Sequence, residues 1–311
     1  MKKISIIIPF FNEEKNLDKI LNQLLEFTSS SKNYFYEIIL MDNNSNDDSK
    51  LVVDKFKDKF DDMKYIKLSR NFGYQTNIMA GYEICEGDAA VQLDADGEDD
   101  PELISKFLLM WERGYEVVFG IRKKRKENLF LTLLRKIFYK FINLSSNISL
   151  PENAGDFRLI DRKVINHLKE FNEKNLYIRG LISYIGFKQI GIPYNRRRRF
   201  YGKSKFSLYK YFEMSLTAIT SFTNKPLIFI FFFGIAVFLL SLILIIFYLF
   251  SYIFGSINAA GFTTIILVQL LFFGLQILIL GFFGVYLGYI LDEIKNRPKY
   301  IIDKKEIGKK K

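Results

Sequence analysis

A chain of 311 residues with a formal net charge of +11, 49% hydrophobic and 16% aromatic, can bury a sizeable core and more than one domain. That much apolar surface beside strong positive charge suits a membrane-associated protein and argues against a nucleic-acid partner. One cysteine, Cys85, excludes an internal disulfide and fits a reducing compartment, and the single His167 leaves no material for a histidine metal site.

The first residues, Met1-Lys2-Lys3-Ile4-Ser5-Ile6-Ile7-Ile8-Pro9, contain an apolar run too short for a secretory leader. Asn12-Glu13-Glu14 follows at once, so the run predicts a first strand at 4–9 and a cytoplasmic amino terminus. Leu17, Ile20, Leu21, Leu24 and Leu25 recur at helical spacing. A second strand at 37–41 ends in the polar turn Asp42-Asn43-Asn44-Ser45-Asn46-Asp47, which can cap a helix over 47–60. A strand at 65–68 leads to Ser69-Arg70-Asn71-Phe72-Gly73 and a helix over 74–85, where Cys85 reads as a small buried apolar residue. Then come a strand at 89–93, a helix from Pro101 and a strand at 116–120. This alternation predicts a doubly wound, mostly parallel α/β sheet with its ligand crevice at the carboxyl ends of the strands, where every polar turn falls.

Residues 128–143 and 203–222 mix leucines and aromatics with Arg135, Lys136, Lys140, Lys205 and Lys210, the pattern of amphipathic helices lying in the headgroup region. Stretches 226–252 and 262–291 carry no charge, and a bilayer core needs about 20 apolar residues per helix, so both are expected to span. Connector 253–261 has no Lys or Arg, whereas Lys225, Lys295, Arg297, Lys299 and 304–311 flank the other ends. The positive-inside rule then places both termini and the α/β domain in the cytoplasm of a two-span inner-membrane protein. Gly284 and Gly288 form a small-residue pair suited to close helix packing.

The chemistry concentrates at Gln92-Leu93-Asp94-Ala95-Asp96-Gly97-Glu98. Side chains alternate along extended backbone, so Asp94 and Asp96 face the same way, with Glu98 a third candidate ligand. Neighbouring carboxylates are costly to ionise together without a cation between them, and oxygen ligands favour Mg²⁺ or Mn²⁺. The alternative is an acidic loop capping the helix that Pro101 begins. No G-x-G-x-x-G follows the first strand and no G-x-x-x-x-G-K-[ST] occurs, which disfavours a dinucleotide oxidoreductase and a P-loop nucleotidase. Gly155-Asp156-Phe157-Arg158 and Arg196-Arg197-Arg198-Arg199-Phe200-Tyr201-Gly202-Lys203-Ser204-Lys205 are the other polar clusters. The second resembles a loop built to approach a phosphate closely.

These segments together resemble the family 2 glycosyltransferases that charge polyprenyl phosphates, most of all the bactoprenol glucosyltransferases with two carboxyl-terminal membrane helices and less the dolichyl-phosphate mannose synthases. Pro9-Phe10-Phe11-Asn12-Glu13-Glu14, Asp42 with Asn44 and Asp47, Ser69–Gly73, Asp94-Ala95-Asp96, Gly120-Ile121-Arg122, Gly155–Leu159 and Arg199–Lys205 carry the resemblance. It implies a GT-A fold, a UDP- or GDP-sugar donor, a polyprenyl phosphate acceptor, and Mg²⁺ or Mn²⁺ held by Asp94 and Asp96, with Glu98 where the family commonly has Gln. It places Pro9, Phe10, Asn12, Glu13, Asp42, Asn44, Arg70, Gln92 and Ala95 at the donor. Arg122, Arg158, Arg196, Arg199, Lys203, Ser204 and Lys205 fall at the diphosphate and acceptor phosphate. Asp156 would orient the acceptor or an arginine, or act as a base. Asn43-Asn44 stands where the family commonly has Asp-Gly. The implied organisation is a nucleotide-sugar core at 1–125, an acceptor region at 126–225, two membrane helices at 226–291 and a basic cytoplasmic tail at 292–311. The expected reaction is inverting transfer of a hexose, glucose from UDP-glucose foremost. Two rivals are a polysaccharide synthase acting on a sugar hydroxyl, for which Gln-x-x-Arg-Trp is missing, and a non-catalytic nucleotide-binding scaffold. Self-association into a homo-oligomer is compatible with either.

Overall fold

The computed structural model describes residues 1–123, 136, 139–140, 142–146, 150–151, 154–201, 217–223, 225–253 and 261–308. Most of the expected amphipathic helix at 128–143, the greater portion of the one at 203–222, and Lys203, Ser204 and Lys205 lie outside the described residues. Two compact units emerge, one of Met1–Ser221 with Arg297–Lys311, the other Phe222–Asn296.

The first unit runs β1 (Lys2–Phe10), α1 (Glu14–Ser30), β2 (Tyr34–Asp42), α2 (Ser49–Phe56), β3 (Met63–Leu68), α3 (Tyr74–Ile84), β4 (Ala89–Gln92) and α4 (Leu103–Glu112). Beyond these come β5 (Val117–Arg122), β6 (Ala154–Asp161), α5 (Arg162–Glu170), α6 (Ile178–Ile185), β7 (Gln189–Tyr194) and, after the second unit, β8 (Ile302–Ile307). The sheet order is β7-β5-β6-β4-β1-β2-β3-β8. β1 pairs in parallel with β2 and β4, β2 with β3, and β5 with β7, whereas β6 is antiparallel to β4 and β5, and β8 to β3. The expected mostly parallel sheet is present, with two antiparallel strands added.

The β-branched run of β1 is buried on both faces, as a central strand covered by helices requires. Leu17, Ile20, Leu21, Leu24 and Phe27 of α1 bury against it, each contributing about 1.5–3 kcal/mol by leaving water. Leu25, expected on that face, is only partly buried. On the opposite face α3 approaches closely because residue 81 is glycine: a Cβ there would lie 2.4 Å from Ile7 Cγ2. In the amino-terminal half of the strands, the buried Glu37 carboxylate meets Lys64 at 2.5 Å. Lys3 joins Asp62 at 2.9 Å and Glu86 at 3.1 Å. The acidic trio Glu37, Asp62 and Glu86 is therefore already engaged by two ammonium groups.

Two features bear on the expected division of the chain. Residues 292–311 are not simply a tail, since Ile302–Ile307 forms β8 on the edge of β3. Glu306 there pairs with Lys50, and Lys299 and Tyr300 reach Glu83. Strand β6 inserts between β4 and β5, so the sheet continues past residue 125. Neither strand β6 nor β7 announces itself in the sequence, since each mixes charges or glycine with apolar residues.

The second unit holds α7 (Lys225–Ile253) and α8 (Phe262–Ile294), matching the two uncharged stretches. Within it, Leu271–Ile294 is long and apolar enough to cross a bilayer, with mean hydropathy 2.1. Among the described residues, a Cβ on Gly284 or Gly288 would meet nothing within 4 Å.

Candidate active site

The polar turns converge where β1, β2, β3 and β4 end. Asp42 closes β2 and is buried, accepting from the Ser45 backbone N–H and the Tyr65 hydroxyl, both at 2.7 Å. Asn44 occupies the left-handed region at φ 65°, which asparagine tolerates well, so it replaces glycine without losing the turn. Asn43 donates to Asn71 Oδ1 at 2.9 Å and accepts from the Phe72 N–H at 2.9 Å, a reciprocal pair that joins the turns after β2 and β3. Asn12, also left-handed at φ 52°, accepts from the Asn46 N–H and thereby joins the turns after β1 and β2. Arg70 projects outward and stacks over Phe72 at 4.0 Å.

The acidic turn follows β4. The Tyr74 hydroxyl donates to Asp94 Oδ1 at 2.6 Å and accepts from Gln92 Nε2 at 2.9 Å. Asp96 accepts from the Glu98 N–H at 3.0 Å, and Ala95 is buried. Because Gln92 pairs with Arg158 across the antiparallel β4–β6 ladder, two further residues along each strand bring Asp94 towards Asp156. Burial, then the charges of Asp96, Asp99 and Asp156, push the Asp94 carboxyl up to about 8. Burial likewise raises Asp96.

Asp156 is the opposite case. Burial opposes its charge, but the guanidinium of Arg179 prevails and holds it down at about 2. Arg179 Nε donates at 2.6 Å to one carboxylate oxygen and Nη2 donates to the other, while Nη1 reaches the Ala154 carbonyl at 3.2 Å. Arg158, buried, donates through Nη2 to the Gly155 carbonyl at 2.9 Å. Arg122, at the end of β5, lies close over Gly155, where a Cβ would sit 3.3 Å from its Nε.

The arginine segment after β7 lies directly on the acidic turn. The N–H of Arg197 donates to the Glu98 carbonyl at 2.8 Å and that of Phe200 to the Asp96 carbonyl at 3.3 Å. Arg196 pairs with Glu98 and approaches Asp99 at 3.5 Å. Arg199 pairs with Glu13 and stands 3.8 Å from Asp96. Gly97 makes the docking feasible: its φ is 73°, and a Cβ would lie 2.0 Å from the Phe200 ring. Tyr194 donates to the fully buried Asp99.

A family model described as glycosyl transferase family 2 matches residues 5–169, the segment that carries every strand from β1 to β6. The chain belongs to that family. Three relatives of this glycosyltransferase extend the match to nearly full length. The uncharacterized glycosyltransferase YkcC of Bacillus subtilis is 38% identical over 96% of this chain and 93% of its own. The putative glycosyltransferase CsbB of the same organism is 36% identical over 99% of this chain and 93% of its own. The SfII prophage-derived bactoprenol glucosyl transferase of Shigella flexneri is 32% identical over 98% of this chain and 99% of its own.

The donor set of this glycosyltransferase fits a divalent cation. Asp94 and Asp96 offer oxygen ligands, burial raises the proton affinity of both, and Asp99 Oδ2 is buried beside them with no hydrogen-bond partner among the described residues. Glu98 is engaged with Arg196 and is itself raised by burial and by Asp96. Tyr74, Asp99, Arg179 and Tyr194 escape a reading of the sequence. Only Arg179 leaves a signal, one charge inside the apolar stretch 176–185, which burial demands be paired. Tyr74 and Tyr194 look like ordinary core aromatics, and Asp99 is one acid in a run of acids.

Proposed function

We propose that this glycosyltransferase transfers a hexose, foremost glucose from UDP-glucose, to the phosphate of a membrane polyprenyl phosphate with inversion at the anomeric carbon. The observation that carries the reading is the meeting of the Asp94/Asp96 turn with Arg122, Arg158, Arg196 and Arg199 at one end of the sheet, in a chain similar throughout to a bactoprenol glucosyl transferase. A divalent cation held by Asp94 and Asp96 would supply positive charge against the charge developing on the departing nucleoside diphosphate.

The chain's own side chains do the rest. On this reading Pro9, Glu13, Asp42 and Asn44 would hold the donor, and Arg196 and Arg199 would meet the departing diphosphate. Arg122 would meet the acceptor phosphate, with the buried Arg158 adding positive charge nearby, so two anionic substrates could approach without repelling each other. The attacking phosphate oxygen forms the new bond to the anomeric carbon as the bond to the diphosphate oxygen breaks. A phosphate monoester has a second pKa of about 6, so no strong base is needed at neutral pH. Asp156 suits this: clamped by Arg179 and held near 2, it orients cations and stays charged.

Two membrane spans complete the proposal. The chain leaves the sheet unit at Ser221 and rejoins it at Arg297, with β8 paired to β3, which favours an even number of crossings by α7 and α8. Flanking basic residues then place the sheet unit on the cytoplasmic side.

The test incubates the purified chain with undecaprenyl phosphate, Mn²⁺ and radioactive UDP-glucose, with GDP-mannose and UDP-N-acetylglucosamine in parallel. Label should enter chloroform-extractable lipid and vanish with Asp96→Ala. Label in water-soluble oligosaccharide, or nucleotide binding without any transfer, overturns the proposal.

A further inference from the structure

We infer that Tyr74 is a positioning residue for the cation site: its hydroxyl fixes the Asp94 carboxylate in the orientation that receives the metal. This rests on the proposed reading that Asp94 and Asp96 hold a divalent cation.

The hydroxyl sits between two side chains of one strand end. Gln92 and Asp94 are two residues apart and so project the same way. Gln92 Nε2 donates into the tyrosine oxygen at 2.9 Å, which leaves the hydroxyl proton to go to Asp94 Oδ1, 2.6 Å away. One Asp94 oxygen is thereby anchored and Oδ2 is left to meet a cation. Without that anchor the carboxylate would swing from the neighbouring charges of Asp96, Asp99 and Asp156.

The tyrosine itself is held firmly. It opens α3, and the preceding Gly73, at φ 91°, donates its N–H to Asn71 Oδ1 at 2.9 Å. Asn71 is bound in turn to Asn43 on the turn after β2. A connected path therefore runs from the donor-binding turn to the acidic turn. Groups that orient metal ligands in this way commonly change affinity by about 10–100-fold when removed.

The test measures Mn²⁺ binding to the full-length protein in detergent, without donor, from the loss of the electron paramagnetic resonance signal of free Mn²⁺. Tyr74→Phe keeps the ring and its packing, so the unfolding temperature should hold while the dissociation constant rises roughly 10-fold or more. Gln92→Leu frees the hydroxyl to turn away and should give a smaller rise. With donor present, Tyr74→Phe should raise the Mn²⁺ concentration for half-maximal turnover and leave kcat at saturating Mn²⁺ nearly intact. Tyr74→Phe binding Mn²⁺ as tightly as the parent, while Asp96→Ala loses binding, overturns the role of Tyr74 alone. Failure of the parent to bind either Mn²⁺ or Mg²⁺ overturns the metal reading of the turn and this inference with it.

Discussion

Asp94 and Asp156 lie on neighbouring segments of the sheet and differ in what faces them: three carboxylates surround the first, a guanidinium clamps the second. Their proton affinities diverge accordingly, about 8 against about 2. A carboxyl raised on folding gives stability that is present below the unfolded pKa and is lost as pH rises towards the folded value. The metal-free protein should therefore gain stability at about pH 8 from Asp94→Asn, measured as unfolding temperature, while losing turnover. In the parent, Mn²⁺ must displace a proton below about pH 8, so its stabilising effect should be larger at about pH 8 than at about pH 6. For Asp156 the sign reverses, and its contribution is lost only as pH falls from about 4 towards 2. Arg179→Met strands that carboxylate and should cost about 3–5 kcal/mol; adding Asp156→Leu should recover much of the loss in a chemical-denaturation series.

At the scale of elements, the arginine segment and β8 are the informative pieces. The segment docks by backbone hydrogen bonds to Asp96 and Glu98, and only a glycine at 97 leaves room for Phe200. Gly97→Ala should lift the segment from the acidic turn. Its left-handed backbone alone costs about 1 kcal/mol in alanine, and the expected result is a fall in turnover with more susceptibility of the segment to limited proteolysis. Strand β8 covers the outer edge of β3 with Lys304, Lys305 and Glu306 exposed or bridging, a charged edge that resists pairing with another chain. Ending the chain at Ile301 should lower the unfolding temperature by several degrees and promote aggregation, as light scattering would report.

Across the whole molecule the chain departs from the sheet at Ser221 and returns at Arg297. Under the two-span proposal, a cysteine introduced at Ser256 should react with an impermeant maleimide on intact cells, and one at Lys304 only after permeabilisation. Equal labelling of both positions on intact cells would contradict an even number of crossings.

Local periodicity determined much of this protein. The β-branched runs, the helical spacing of α1 and the uncharged stretches of α7 and α8 are each written in consecutive residues, so β1–β5 and both long helices were legible. So was the location of the acidic turn, because polar residues end the parallel strands. Tertiary structure decided the partners. Arg179 reaches Asp156 from 23 residues away, Arg199 reaches Glu13 across 186, and β8 follows the second unit yet pairs with β3. Those contacts depend on strand order, and no local pattern encodes which distant charge will neutralise a carboxylate that folding has taken out of water.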